Sequence, residues 1–296
     1  MEQIFDPALI SKNRARAAQR ATADTGFLLD IVATELAERV AVVERQFDQA
    51  VELHGADGRT ATACLKTGRI KSLSRVETGD VFAKPDEKII HAPIEHLPLE
   101  EQSTNLLLSP LVLHLANDMP GLLIQMRRAL KPDGLLLAAL PGAGTLAELR
   151  DVLLATEVEM SGGASPRVMP FADVRDMGSL MQRAGFALPV VDMEEYTVRY
   201  DSIFPLMRDL KAMGMANPLQ ARSRKPLNRA FFMRAAELYA ERHSDPDGRI
   251  RATFSIIYMS GWAPHENQPK PLKRGSARIS LADALKETMD SLEDKN

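Results

Sequence analysis

Two continuous apolar runs on either side of an amphipathic segment constrain the fold most strongly. Residues 104–109 read TNLLLS and residues 135–140 read LLLAAL. Between them, residues 120–130 carry apolar side chains at helical spacing and end just before Pro132 and Gly134, which interrupt a helix. Strands that are buried on both faces read as continuous apolar runs, and a helix that joins two of them makes a βαβ unit. The chain is therefore expected to form a parallel sheet with helices on both faces.

The same alternation of strand and helix patterns extends along the rest of the chain. Further strands are expected at residues 47–53, 69–73 and 88–92, within 186–200, and at 251–262. Helices are expected at residues 26–43, 57–67, 145–160, 173–184, 202–214 and 226–243. Two helices are thus inserted between the last two strands, and we expect those strands to pair antiparallel as a hairpin at the edge of the sheet.

Composition limits the kinds of partner and of site that this chain suggests. Its 296 residues are 45% hydrophobic and 26% charged, which is ordinary for a globular protein. The formal net charge of −3 gives no general case for binding nucleic acid, and no apolar run reaches the roughly 20 residues that span a bilayer. The single cysteine, Cys64, excludes an internal disulfide and fits a reducing compartment. The six histidines lack the spacing of a metal site.

The central sequence carries a family resemblance. Residues 106–140 (LLLSPLVLHLANDMPGLLIQMRRALKPDGLLLAAL) resemble the fourth strand, helix and fifth strand of class I S-adenosylmethionine-dependent methyltransferases. The segments GGASPRVMPFADVRDMGSLMQRAGF and TVRYDSIFPLMRDLKAMG are similar to the methyltransferase-fold family of the mitochondrial NADH:ubiquinone oxidoreductase (complex I) assembly factor 5 and its bacterial relatives. This similarity runs from about Phe5 to Ala277. The malonyl-acyl carrier protein methyltransferase of biotin synthesis is a more distant resemblance.

The resemblance implies an α/β fold with a doubly wound, seven-stranded, mostly parallel Rossmann-like sheet and a helical insertion before an antiparallel last strand. It also implies S-adenosylmethionine as cofactor, bound at the carboxyl ends of the first strands. We expect the following segments: an N-terminal helical segment (1–46), the methyltransferase core (47–200), an inserted helical lid (201–250), the last strand with an extended tail (251–278), and a C-terminal helix (279–296) that Ser280 caps.

The loop after the first strand departs from the family pattern, in which an acidic residue precedes three alternate glycines. Glu52 matches the acid, His54 and Ala56 stand at the first two glycines, Gly55 lies between them, and Gly58 keeps the third. An imidazole at a position of close approach would fill space intended for the cofactor, unless it points to solvent as a surface turn residue. Alanine disfavours the positive φ of a glycine turn. The loop is therefore expected to keep the position of a cofactor site without its usual chemistry.

Acidic residues that hold the cofactor in the family are also changed. The second strand is expected to end near Ser74 without an acid, Glu77 lies a few residues further on, and Gly144 replaces another family acid. By resemblance, the cofactor-binding candidates are Glu52, His54, Gly55, Gly58, Ser74, Glu95 and Ser109. Together these changes predict weak or absent binding of S-adenosylmethionine.

Catalytic and substrate candidates follow the fourth strand and the sixth. His114 could act as a general base or orient a polar substrate. Asp118 or Asn117 is interpreted as the cap of the next helix. Tyr196 and Tyr200 contact substrate by resemblance, or pack in the core if strand alternation alone places them.

Three functions stay open from the sequence. The first is an S-adenosylmethionine-dependent enzyme of the complex I assembly factor family, whose mitochondrial member is associated with hydroxylation of an arginine in a complex I subunit. The second is a catalytically inactive pseudo-methyltransferase that binds a protein client, and the third is a malonyl-acyl carrier protein methyltransferase. The expected partner is a protein client, by resemblance a complex I subunit. The expected compartment is the bacterial cytoplasm, or the mitochondrial matrix in a eukaryote.

Overall fold

The computed structural model describes residues 3–22 and 25–268. The predicted C-terminal helix with Ser280 and the distal part of the extended tail lie outside the described residues. The described residues up to Pro264 form one compact unit.

The described residues contain a seven-stranded sheet. Its strands are β1 (Phe47–Leu53), β2 (Ile70–Glu77), β3 (Ile90–His91), β4 (Thr104–Pro110), β5 (Leu130–Pro141), β6 (Ala187–Tyr200) and β7 (Ile250–Trp262). Their order across the sheet is β3-β2-β1-β4-β5-β7-β6. The first five strands run parallel, and β7 is antiparallel to both of its neighbours. The predicted doubly wound sheet with an antiparallel last strand is therefore confirmed.

Helices cover both faces of this sheet. They are α1 (Pro7–Arg20), α2 (Phe27–Ala41), α3 (Arg59–Leu65), α4 (Met119–Ala129), α5 (Ala147–Ser161), α6 (Val174–Arg183), α7 (Ile203–Ala212) and α8 (Arg229–His243). Packing on both faces of β4 explains why its apolar run is continuous. Leu106 and Leu108 pack on the face that α2 covers, and Leu107 packs on the face that α4 covers. All three leucines are fully buried, as a strand between two helical layers requires. Among the described helices, none combines the length and the apolar character needed to cross a membrane.

The start of α4 confirms the predicted cap, with Asp118 as the one of the two candidate residues that forms it. Asp118 caps the helix, because its Oδ1 accepts a hydrogen bond from the Gly121 amide at 2.9 Å. Asn117 is not a cap. Its side-chain oxygen accepts from the Phe5 backbone N–H at 2.8 Å, and the Asn117 backbone N–H donates to the Glu95 carboxylate at 2.7 Å.

The insertion between β6 and β7 contains α7 and α8, as predicted, and it holds the N-terminal helix. Phe5 forms an antiparallel bridge with Leu219. Farther along, the Asn13 side chain donates to the Ala216 carbonyl at 3.1 Å. Helix α1 is thereby fixed over the carboxyl ends of the strands, where it forms part of the candidate site.

The second strand is longer than its apolar pattern predicts. It continues from Leu73 through Arg75 to Glu77, and both of these charged side chains are buried. Ser74 therefore lies inside the strand, exposed, and not at its end. The expectation of a strand end near Ser74 without an acid is wrong, because Glu77 ends the strand.

Candidate functional site

A cavity of about 240 Å³ opens at the carboxyl ends of the central strands. It is lined by the loop after β1, by Pro110 and Leu111 at the end of β4, by Pro141 at the end of β5, and by α1. Residues 212–215 of the insertion close another side. Open α/β sheets bind ligands where the chain order reverses, which here is between β1 and β4. The cavity is therefore the candidate functional site.

The loop after β1 keeps the backbone bends of a glycine-rich turn without two of the glycines. The φ angles of His54, Ala56 and Gly58 are 54°, 58° and 71°, all in the left-handed region. Side-chain-bearing residues avoid this region at a cost of about 1–2 kcal/mol each. Position 56 keeps a positive φ although alanine disfavours it, so the loop holds that conformation against its cost.

Glu52 lies fully buried beneath this loop and ties it to the neighbouring elements. Its carboxylate accepts hydrogen bonds from the Ala61 amide in α3 and from Arg75 Nε, both at 2.7 Å. Burial raises the pKa of Glu52, while Arg75 and the Ala61 amide favour its charged form. Gly55 packs directly against the carboxylate, because a Cβ there would lie 2.3 Å from Glu52 Cδ. The glycine is thus required by Glu52 whether or not a cofactor binds.

Arg75 connects three carboxylates and the loop backbone. Its Nη1 lies 2.7 Å from Glu87, its Nη2 lies 3.5 Å from Glu77, and its Nε is bound to Glu52. The same guanidinium donates to the Ala56 carbonyl. Burial alone would lower the pKa of Arg75, but these ion pairs outweigh it and the pKa is raised. The guanidinium therefore stays charged and holds the loop in place.

Glu77 stands at the end of β2, where the family supplies the acid that accepts hydrogen bonds from the cofactor ribose. Its Oε2 lies 3.2 Å from Arg14 Nη2 and 3.8 Å from His54 Nδ1. Arg14 Nη2 also donates to the His54 carbonyl at 2.8 Å. Arg14 and His54 both line the cavity, whereas Glu77 is 0% exposed and does not. These two side chains therefore form a cap between the carboxylate and the cavity.

This arrangement tests whether the residues present fit S-adenosylmethionine. Its ribose hydroxyls need a carboxylate that faces the cavity, and Glu77 is buried beneath Arg14 and His54. Three buried atoms at the cap lack a hydrogen-bond partner within the described residues, namely Arg14 Nη1, His54 Nδ1 and Glu77 Oε1. The cap shields Glu77 Oε1, which lies 3.5 Å from Arg75 Nη2, from the cavity. The residues therefore do not fit the ribose in this arrangement.

His114 lines the same cavity, as its place after β4 predicts. The imidazole is half-buried, its ring centroid lies 6.2 Å from that of Phe171, and its buried Nδ1 has no hydrogen-bond partner within the described residues. Burial, with a smaller contribution from the Arg14 charge, lowers the pKa of His114 to about 3. A general base works best with a pKa near the operating pH. This value counts against the general-base role and leaves the orientation of a polar substrate as the role to test.

Other predicted cofactor ligands lie away from the cavity. Ser74 is exposed within β2, and Glu95 is occupied by the Asn117 amides. Ser109 is buried in β4, and Gly58 packs against Arg75 with 2.8 Å between its hypothetical Cβ and the guanidinium carbon. Of the seven cofactor candidates, only His54 and Gly55 line the cavity.

The two predicted substrate tyrosines also lie outside the cavity lining. The Tyr196 hydroxyl donates to Glu194 at 2.5 Å and lies 3.2 Å from the Tyr258 hydroxyl. Tyr200 is 8% exposed and belongs to the hydrophobic core. Their positions follow the alternative interpretation, in which strand alternation places them in or beside the core.

Sequence reasoning missed Arg14 and Arg75 as members of the site, and it weighed Glu77 as a substitute for the family acid without choosing it. One signal was available for Arg14, because it lies four residues after Ile10 and three before Ala17, and all three residues lie on the buried face of α1. No group of three or more histidines, cysteines or carboxylates within residues 3–22 and 25–268 is placed to hold a metal ion.

Comparison with known proteins agrees with this fold. Residues 56–138 match the family described as a methyltransferase domain. The chain is 38% identical to the mitochondrial arginine-hydroxylase NDUFAF5 of Danio rerio, over 88% of this chain and 82% of that protein. Identity to the Homo sapiens protein of that name is 37%, over 95% of this chain and 83% of that protein. The malonyl-[acyl-carrier protein] O-methyltransferase of Laribacter hongkongensis is 34% identical, over 73% of this chain and 69% of that protein.

Solved structures share the architecture. The YcgJ protein from Bacillus subtilis gives a TM-score of 0.54 at 13% identity, covering 79% of this chain and 99% of that chain. A methyltransferase-like protein from Bacillus halodurans gives 0.54 at 13% identity, covering 78% and 99%. At these identities the likeness concerns the fold alone, and the predicted class I methyltransferase fold is confirmed.

Proposed function

The chain belongs to the family of complex I assembly factors named arginine-hydroxylase NDUFAF5, and we propose that this member binds a complex I subunit as its protein client while its nucleoside pocket stays capped. It would act where complex I is assembled, in the mitochondrial matrix of a eukaryote or in the cytoplasm of a bacterium. The single observation that carries the proposal is the cap of Arg14 and His54 over Glu77.

The free-energy cost of separating Arg14 from Glu77 favours the capped state. Glu77 is fully buried, and its ion pair with Arg14 has a side-chain exposure of 9% on the arginine and 0% on the glutamate. Removing one partner from a buried ion pair costs about 3–5 kcal/mol. Since about 1.4 kcal/mol is a tenfold change in a dissociation constant, freeing Glu77 for a ribose would weaken nucleoside binding by more than about a hundredfold.

Calorimetric titration with S-adenosylhomocysteine tests the cap. We expect no micromolar binding to the wild-type protein, and measurable binding to the double variant Arg14→Met, His54→Gly, in which the cap is gone. Arg16→Met is the matched control, since Arg16 lies on the exposed face of the same helix. Micromolar binding to the wild-type protein would overturn the capped pocket. Binding by neither protein would locate the obstacle elsewhere in the pocket.

Client binding is tested separately. The tagged full-length protein is cross-linked in cells, and complex I subunits in the purified material are quantified against an untagged control. Enrichment of one subunit supports the proposal, and absence of any enrichment contradicts it.

Arginine hydroxylation is the second candidate function, because the cavity persists at the carboxyl ends of the strands with His114 in its wall. It predicts the gain of one oxygen on an arginine of the enriched subunit, lost when the protein is deleted. The malonyl-carrier-protein alternative requires methyl transfer to a malonyl thioester, so a methyl-transfer assay on that substrate separates it from the other two.

A further inference from the structure

Strand β6 leaves one of its edges open. It pairs antiparallel with β7 from Ala187 opposite Trp262 to Tyr200 opposite Ile250. It is the last strand of the sheet on this side, and no strand of the described residues pairs with its outer edge. An edge strand presents a row of backbone N–H and C=O groups that can bind another extended chain.

The middle of β6 is uncovered on both faces. Residues 192–195 are all exposed, although successive side chains of a strand point to opposite faces. Their neighbours Tyr258, Ile257 and Ile256 in β7 are 0% exposed. The helical layers therefore cover the sheet as far as β7 and leave this part of β6 bare.

Apolar and acidic side chains are exposed between residues 188 and 195, a segment that we call the β6 edge and in which Pro189 and Val191 are half-buried. Pro189 has no N–H to donate, so the backbone donors available to a partner follow it. Leu188, Val190 and Met193 are exposed by 49%, 57% and 46%. Val190 and Met193 lie on opposite faces of the strand, so each face offers an exposed apolar side chain to a partner. Glu194 and Glu195 follow them directly and form no ion pair within the part of the chain that the structure describes.

Charge selects among possible occupants of the β6 edge. Asp192 is neutralised by Arg39 at 2.7 Å, so Glu194 and Glu195 carry the uncompensated charge. Antiparallel pairing with the β6 edge of a second copy would bring these carboxylates close to one another, and like charges opposite each other destabilise a strand pair. A basic partner instead gains attraction at the same positions.

We propose that the β6 edge binds an extended segment of a protein partner as an added strand, with two consecutive basic residues beside Glu194 and Glu195 and an apolar residue beside Met193. Backbone hydrogen bonds to the open edge supply affinity, and the side chains supply specificity. Two consecutive basic residues fit because Glu194 and Glu195 lie on opposite faces of the strand. The inference rests on the proposed function only in that the partner is a protein client.

Fluorescence anisotropy with a labelled peptide of sequence VTVRRVT tests the proposal. We expect the wild-type protein to bind it, and the double variant Glu194→Lys, Glu195→Lys to bind about tenfold more weakly or less. The matched control is Glu100→Lys, Glu101→Lys, which changes net charge equally at two exposed residues before β4 and should leave affinity unchanged. The peptide VTVEEVT should not bind.

Two further measurements examine the strand geometry. Methylation of alternate backbone nitrogens in VTVRRVT should abolish binding, because it removes the donors that an added strand uses. Hydrogen exchange of amides in β6 should slow when the unmodified peptide binds. Equal affinity of the two lysine double variants, undiminished binding of the methylated peptide, or a wild-type dimer with protected β6 amides would each overturn the proposal. The titration with S-adenosylhomocysteine uses neither peptide nor β6 variants, so the two proposals fail independently.

Discussion

Replacing Gly55 with alanine should destabilise the protein far more than the addition of one methyl group suggests. The new Cβ would lie 2.3 Å from Glu52 Cδ and 2.5 and 2.6 Å from its two carboxylate oxygens, closer than non-bonded atoms approach. Glu52 has no route to solvent, since it is 0% exposed. To make room, its carboxylate must give up the Arg75 guanidinium, the Ala61 amide, or both.

The magnitude follows from which partner is lost. Separation from Arg75 breaks a buried ion pair, at a cost of about 3–5 kcal/mol. Separation from the Ala61 amide loses a hydrogen bond to a charged group, at a cost of about 1.5–3 kcal/mol. We therefore expect Gly55→Ala to lower the free energy of unfolding by about 2–5 kcal/mol, which lowers the Tm by several degrees at about 2–4 °C per kcal/mol.

Urea and thermal unfolding followed by circular dichroism measure this loss. Gly163→Ala is the control, because no heavy atom lies within 4 Å of a Cβ at Gly163 and its φ is not positive, so its effect should stay within about 0.5 kcal/mol. In a protein that already carries Glu52→Ala, the change at Gly55 should cost little, since the obstacle is gone. A loss below about 1 kcal/mol for Gly55→Ala in the wild-type protein would refute the argument that the buried carboxylate dictates this glycine.

Three other measurements address the same region. Ala56→Gly should stabilise the protein by about 0.5–1 kcal/mol in urea unfolding, because relief of the left-handed strain (about 1–2 kcal/mol) exceeds the entropic cost of glycine; destabilisation would contradict this. Burial lowers the pKa of His114 from 6.5 to about 3, so the folded state binds fewer protons than the unfolded state between these values and stability is lost as pH falls below 6.5. His114→Gln should reduce this loss of unfolding free energy by up to about 1.4 kcal/mol per pH unit. An NMR titration of the His114 imidazole with a midpoint above pH 6 would show that its pKa is not lowered and would disprove this explanation. Burial raises the pKa of the Cys64 thiol to about 12, so a thiol reagent at neutral pH should label it only after unfolding, and labelling of the native protein at the rate of a free thiol would refute its burial.

Hydrophobic pattern predicted most of the fold because most elements bury an apolar surface. The runs that became β4, α4 and β5 needed no knowledge of distant residues. Strand β2 differs, since its second half contains Arg75 and Glu77, which read as surface residues. They are buried only because Glu52 and Arg14, 23 and 63 residues away in the chain, pair with them. Pairs of this kind become visible only when the strands and α1 are brought together.

The candidate site was predictable in position and less so in composition. The loop with His54 and Gly55 and the residue His114 lie around one cavity, as expected from strand ends in a parallel sheet. The cap was not predictable, because Arg14 arrives on a helix outside the core sheet and its inward direction depends on the insertion that holds α1. Ser74 and Glu95 were expected there from motif positions, which carry no information about strand length.

The torsions of His54 and Ala56 bear on how relatives of this chain are recognised. A search that counts glycines would pass over this turn, although the main chain follows the same path that glycines allow. The dihedral angles at these positions would group such proteins by architecture. The ion pairs beneath the loop would group them separately by ligand. The amino-acid sequence alone does not separate architecture from ligand.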